Sequence, residues 1–246
     1  MRREDILKLL FATPYAELRH RAARITAREK GSHVFVRGLV EFSNVCRRNC
    51  RYCGLRAANR QLVRYTLSKD EIMETATEAV TAGADTIVLQ AGEYASPPQW
   101  LAAVVAALRR DLRVPVTLSV GEQPRTACAL WKEAGAARFL LKHETADPRL
   151  YARLHPGHTL AERLASLRML RELGYETGSG FMVGLPGQKP ESLADDILLA
   201  RELRVSMCGV GPFIPPRRRP PPTWGRRRAP VPSAISRAPA LWKASR

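Results

Sequence analysis

Strand-like and helix-like stretches alternate six times between Val34 and Pro215 of this 246-residue chain, and that beat restricts the fold more than any other feature. A strand, a helix and a second parallel strand join through a right-handed crossover, so a run of such units builds a parallel barrel or part of one. The length suits a single α/β domain. Strands are expected at Val34–Glu41, Thr86–Gln90, Val116–Val120, Arg138–His143, Thr177–Val183 and Met207–Ile214. Ser68 and Glu71 form an S-x-x-E capping box for a helix whose apolar face carries Ile72, Met73, Ala76, Ala79 and Val80 and which ends at Gly83. Ser96, Pro97 and Gln99 open the next helix, with Trp100, Leu101, Val104, Val105 and Leu108 inward. Further helices are expected near Pro124–Ala134, Leu160–Leu173 and Glu191–Leu203, the second with a stripe of Leu160, Leu164, Leu167 and Leu170.

In a parallel barrel the chemistry gathers at the carboxyl ends of the strands. After the first strand stands EFSNVCRRNCRYCGLR, in which Cys46, Cys50 and Cys53 have C-x3-C-x2-C spacing. Three thiolates on one loop can hold three corners of a cubane iron–sulfur cluster and leave its fourth iron open to an external chelator. A structural zinc site needs four closing ligands, and no second pair with the required spacing is present. Disulfides fit an odd total of five cysteines poorly. Arg47, Arg48 and Arg51 are expected to favour the thiolates and offset the charge of a cluster. Cys128 and Cys208 read as ordinary buried thiols. Polar candidates mark the other strands: Gln90, Gly92 and Glu93 on the second, Thr117 and Ser119 on the third, His143 and Glu144 on the fourth, Ser179 on the fifth before the turn GLPGQ, and Met207 on the sixth.

The net charge of +17 resembles a nucleic-acid signature until it is mapped: Arg217–Arg246 carries eight Arg, one Lys and no acid, more than half of the excess. That stretch has neither a strand nor a helical period and is rich in Pro and Arg, which predicts a disordered basic tail over 216–246. Its abrupt start without a Gly/Ser linker suggests a shifted reading frame or a replaced end, and a nucleic-acid role is not expected. A helical segment is expected over 1–33. No apolar run is long enough for a membrane span, and the first residues lack the apolar core of a signal peptide, so a cytoplasmic location is expected.

The cysteine loop resembles that of the radical S-adenosylmethionine (SAM) enzymes. Together with TIVLQAGE, VTLSVGE, KHETADPRLYARLHPG, LGYETGSGFMVGLPGQ and GVGPFIP it resembles the HydE-type [FeFe]-hydrogenase maturases, in a clan with methylornithine synthase and biotin synthase. The resemblance covers about Val34 to Pro215 and stops at the tail, whereas members of the family continue through a further helix and two strands to close a (β/α)8 barrel. It implies a partial radical SAM barrel with about six of eight units. It also implies a [4Fe–4S] cluster on Cys46, Cys50 and Cys53 and reductive cleavage of SAM to a 5′-deoxyadenosyl radical, shielded by the barrel wall.

The resemblance further implies that Tyr52 lies near the adenine and that Glu144 and Arg163 contact the cofactor. Gln90, Thr117 and Met207 join them in holding it, and Ser119 faces an amino-acid-like substrate. Ala91 departs from the Ser or Gly often found there. The implied substrate is an organometallic iron–cysteine complex supplied by a partner maturase, with a scaffold protein receiving the product and a ferredoxin or flavodoxin as electron donor. A methylornithine-synthase-like or biotin-synthase-like enzyme, and a non-catalytic remnant with an open sheet edge, are the alternatives.

Overall fold

The computed structural model describes residues 1–93 and 96–215. Its sheet has six strands: β1 (Arg37–Ser43), β2 (Thr86–Ala91), β3 (Val116–Ser119), β4 (Ala136–Leu140), β5 (Glu176–Val183) and β6 (Met207–Pro212). They lie side by side in chain order, every neighbouring pair parallel, as a half-barrel. The crossovers contain α3 (Lys69–Thr81), α4 (Pro98–Ala107), α5 (Arg125–Glu133), α6 (Pro148–Leu154), α7 (Leu160–Glu172) and α8 (Pro190–Glu202), and α1 (Arg3–Leu7) and α2 (Tyr15–Lys30) precede the sheet. The Arg- and Pro-rich stretch read as a disordered tail, 216–246, lies outside the described residues.

The helix starts obey their local chemistry. Ser68 Oγ accepts from Glu71 N at 3.3 Å while Glu71 Oε2 accepts from Ser68 N at 2.7 Å, and Thr159 and Glu162 repeat the arrangement at α7. Each such cap is worth about 1 kcal/mol. One helix has no counterpart among the expected elements: α6, capped by Asp147, whose Oδ1 accepts from Arg149 N and Leu150 N. Asp-Pro followed by Leu150, Tyr151 and Leu154 carries its signal, an N-cap, a Pro at N1 and a short apolar face.

Period-2 alternation divides the sheet into two faces. Ile87, Leu89, Val116, Leu118 and Phe139 point to the helices, where they are fully buried with Ile72, Leu101, Val104, Val105, Leu108 and Trp131. Burying each such side chain contributes about 1.5–3 kcal/mol. The opposite face lines the lumen, and register places Glu41 beside Gln90 and Gln90 beside Ser119 in one row across it.

The ends of the strands differ from expectation. β1 starts at Arg37, opposite Thr86 where β2 begins, and Val34, Phe35 and Val36 remain exposed. β4 ends at Leu140; beyond it the chain stays tied to β5 by single bonds, Leu141 N to Gly178 O at 3.0 Å and Glu144 N to Gly180 O at 2.9 Å. Cys208 is exposed rather than buried; β6 is an edge strand of the sheet formed by the described residues. At the amino end α1 docks on α8 through Arg3 and Asp195, bonded at 2.8 and 3.0 Å, while α2 buries none of its residues. Among the described residues no helix is long and apolar enough to cross a membrane.

Candidate active site

A cavity of about 420 Å³ opens at the carboxyl ends of the strands. It brings together Cys46, Cys50 and Cys53 from the loop after β1, Tyr52 between them, Gln90 at the end of β2, Ser119 at the end of β3, Glu144 after β4 and Arg163 from α7. Thr117 and Met207 do not line it. Thr117 lies one pleat below Ser119 on the same face, buried, its Oγ1 without a hydrogen-bond partner. Met207 opens β6 at that strand's amino end, paired with Gly178, so it does not share the carboxyl-end position of the other candidates.

The cysteine loop is anchored from several directions. Arg47 N donates to Glu93 O at 2.8 Å, Arg51 N to Leu154 O at 2.9 Å, and Asn44 Nδ2 to Val63 O at 2.8 Å. Gly92 makes the close approach possible, because a methyl group there would overlap the Val45 carbonyl oxygen and stand 2.7 Å from Cys46 Cβ.

Two of the arginines between the cysteines, Arg47 and Arg48, have other partners than expected. Arg47 Nε donates to Glu93 Oε1 at 3.2 Å, and Arg48 contacts Glu93 and His158 while its Nη2 reaches Glu122 Oε2 at 2.8 Å. The positive charges felt by the thiols come instead from Arg163 at Cys50 and Arg56 at Cys53. They do not prevail: burial, then the neighbouring Cys53, pushes the Cys50 thiol up to about 12, and burial raises Cys53 as well. Thiols that are buried and raise one another need a multivalent cation among them to ionise together, so the donor set fits an iron–sulfur cluster. Among the described residues no three or more His, Cys, Asp or Glu are gathered as a single-ion site would be.

Around the thiols stands a polar wall that sequence reading only partly identified. Glu122 accepts from Arg163 Nε at 2.6 Å through one oxygen and from Arg48 through the other, and Arg163 Nη1 donates to Lys142 O at 2.9 Å. Glu122 ends the block VTLSVGE, directly after the third strand, and that position was its signal. Glu144 has a left-handed backbone, φ 64°, and its Oε2 lies 3.3 Å from Lys142 Nζ, buried and without a hydrogen-bond partner. Tyr52 shares a 3.0 Å hydrogen bond with His155 Nε2, and Tyr151 stacks on that imidazole with ring centroids 4.0 Å apart. Burial and the nearby Arg163 lower His155 to about 3, so the ring is neutral; burial and Glu144 hold the Tyr52 phenol well above its usual value. With Nδ1 donating to Tyr151 O, Nε2 accepts from the Tyr52 hydroxyl.

The chain is similar to known proteins. The model of the radical SAM superfamily matches residues 40–200. The [FeFe] hydrogenase maturase subunit HydE of Thermotoga maritima is 49% identical over 197 residues, 79% of this chain and 56% of that protein. The 3-methylornithine synthase of Methanosarcina acetivorans is 30% identical over 188 residues, 75% of this chain and 53% of that one. A crystal structure of methylornithine synthase superposes with a TM-score of 0.86 at 25% identity, covering 95% of this chain and 70% of that one. The chain spans about half the length of the curated relatives it matches.

Proposed function

Because the chain belongs to the radical SAM superfamily, whose members use a [4Fe–4S] cluster and SAM, we propose that Cys46, Cys50 and Cys53 hold that cluster and that the adjoining wall binds SAM. The observation that carries the reading is the convergence of the three thiols, Tyr52, Glu144 and Arg163 on one cavity. When bound, this pair of groups supplies a one-electron reductive cleavage of the sulfonium.

The residues supply the rest. Arg163, held by Glu122 and the Lys142 carbonyl, offers a buried cation to a carboxylate. Glu144 offers a buried carboxylate oxygen, ion-paired with Lys142 at 3.3 Å but without a hydrogen-bond partner, to a hydroxyl or amino group. Tyr52 fixes an aromatic edge beside the thiols, oriented by His155. Gln90 and Ser119 face the lumen, where Gln90 Nε2 donates to Glu41 Oε1 at 3.1 Å and Ser119 meets the substrate. The half-barrel wall keeps water from the reacting atoms on the side it covers.

The biological role we propose is assembly of the [FeFe]-hydrogenase active-site cluster. The support is 49% identity to HydE against 30% to a methylornithine synthase. The substrate is then an organometallic iron–cysteine complex, with a ferredoxin or flavodoxin as reductant and the other maturation proteins as partners.

Anaerobic reconstitution with iron and sulfide, followed by electron paramagnetic resonance with and without SAM, tests the core of the reading. A cubane signal that shifts on adding SAM is expected, and absence of the cubane or of the shift overturns the proposal. Mass spectrometry of the products from iron–cysteine complexes and from amino-acid and thioether candidates separates the maturase from a methylornithine-synthase-like or biotin-synthase-like activity.

A further inference from the structure

Behind Glu144, outside the lumen, His143 and Asp196 face each other with no exposed surface, the imidazole Nε2 3.4 Å from Asp196 Oδ1. Neither His143 Nε2 nor Asp196 Oδ2 has an aligned hydrogen-bond partner, and nothing in the proposed reaction uses either group. Ser179 determines where protons can sit. Its Oγ accepts from His143 N at 3.1 Å, lies 3.0 Å from Leu141 O and is 2.9 Å from His143 Nδ1. A hydroxyl has one proton. If that proton goes to the Leu141 carbonyl, His143 Nδ1 must carry its own and donate to Ser179. Nε2 and the Asp196 carboxyl then need one further proton between them, or a lone pair faces a buried carboxylate. The other assignment, Ser179 donating to Nδ1, takes that bond from the buried Leu141 carbonyl. Burial raises Asp196, in keeping with a retained proton.

The same two residues hold the turn that carries Glu144. His143 is tied to β5 through Ser179, Ala146 N donates to Asp196 Oδ1, and Thr145 N donates to His143 O at 2.8 Å. Between these anchors Glu144 keeps its left-handed backbone, with its own N and O bonded to Gly180 and Met182 of β5. A glutamate stays in that region only when its surroundings require it.

We infer that His143 and Asp196 share one buried proton and, by doing so, act as positioning residues that aim Glu144 into the cavity. The inference rests on the reading of Glu144 as a SAM contact. The other charged or titratable groups around the pair are Asp195 on α8, itself bound to Arg3 of α1, Lys142 and Glu144 beside β4, and the Cys208 thiol on β6. The proton is held at low pH and lost as pH rises, in keeping with the raised Asp196 carboxyl, so SAM affinity falls as the solution becomes more alkaline.

Two readouts on the cluster-loaded protein decide the matter. Nitrogen-15 NMR of the imidazoles, with His143 assigned through His143→Gln, is expected to show Nδ1 protonated at neutral pH; a bare Nδ1 overturns the inference. Equilibrium binding of SAM across pH supplies the second. Asp196→Ala and His143→Phe weaken binding by about tenfold, the scale of losing a supporting residue behind a ligand-binding group. Asp196→Asn keeps the Ala146 contact through its amide oxygen, but because that same position faces Nε2 it brings no proton there and has none to ionise, so its affinity falls between those of wild type and Asp196→Ala and does not change with pH. An Asn variant that binds as wild type does, or one that keeps the wild-type pH profile, overturns the shared proton. Glu144→Gln separates the two readings: no loss of SAM affinity overturns the contact assigned to Glu144 and the inference with it. A loss there without any in His143→Phe and Asp196→Ala overturns the inference alone.

Discussion

Gly92→Ala tests the packing that sets the cysteine loop against the second strand. Gly92 is not in the left-handed region, so the effect of the added methyl is steric. The group would overlap the Val45 carbonyl oxygen and lie 2.7 Å from Cys46 Cβ, where carbon atoms normally meet at about 3.5–4.0 Å. Both obstacles belong to the loop's own backbone and first Cβ, which cannot swing aside as a long side chain would. The loop must therefore retreat by about 1 Å, well beyond the tolerance of about 0.2 Å on metal–ligand distances. Overpacking of this kind costs about 1–3 kcal/mol, which for a chain of this size lowers the melting temperature by roughly 2–12 °C. Iron per chain after anaerobic reconstitution should fall to less than half of the wild-type value. Gly211→Ala is the control, since a methyl group there meets nothing within 4 Å and should change stability by less than about 0.5 kcal/mol. If Gly92→Ala binds iron and melts as the wild type does, the close approach does not govern the loop.

The Arg163→Lys variant loses the planar fork that reaches Glu122 and the Lys142 carbonyl together; SAM affinity by anaerobic equilibrium binding should drop about tenfold, and an unchanged affinity would remove Arg163 from the site. Tyr175→Phe removes a 2.7 Å hydrogen bond to the buried Cys128 carbonyl, and urea unfolding should show a loss of about 1–3 kcal/mol. His155 gives a pH signature. Its folded value of about 3 lies below the unfolded value of about 6.5, so the unfolded chain gains a proton first as pH falls. That contribution to stability is complete above the unfolded value and is lost progressively from there down to about 3. His155→Gln should flatten this part of the stability–pH curve, and a variant with the wild-type slope refutes the assignment.

Much of the architecture was legible in the order of residues, because local chemistry repeats in it. The Ser68–Glu71 box, the Leu160–Leu170 stripe and the β-rich runs at Thr86 and Val116 each specify an element over a few residues, and six repeats of the beat leave a parallel sheet as the consistent arrangement. Helix α6 escaped because its pattern is only seven residues long. Strand ends were less legible, since β1 begins where β2 can pair with it rather than where hydrophobicity begins.

The three-cysteine loop and its place after a strand were determined by the sequence alone, since spacing within a loop is a local property. Tertiary structure decided which distant groups meet it. The Arg48 guanidinium is committed to Glu122, 74 residues away, while only its backbone N–H reaches the Cys46 thiol, at 3.4 Å. Met207 is left at the amino end of its strand and Cys208 is exposed on that strand. His143 is set against Asp196, a pairing that no spacing announces. Charges and protons respond to distance and burial in three dimensions, and a linear order records neither.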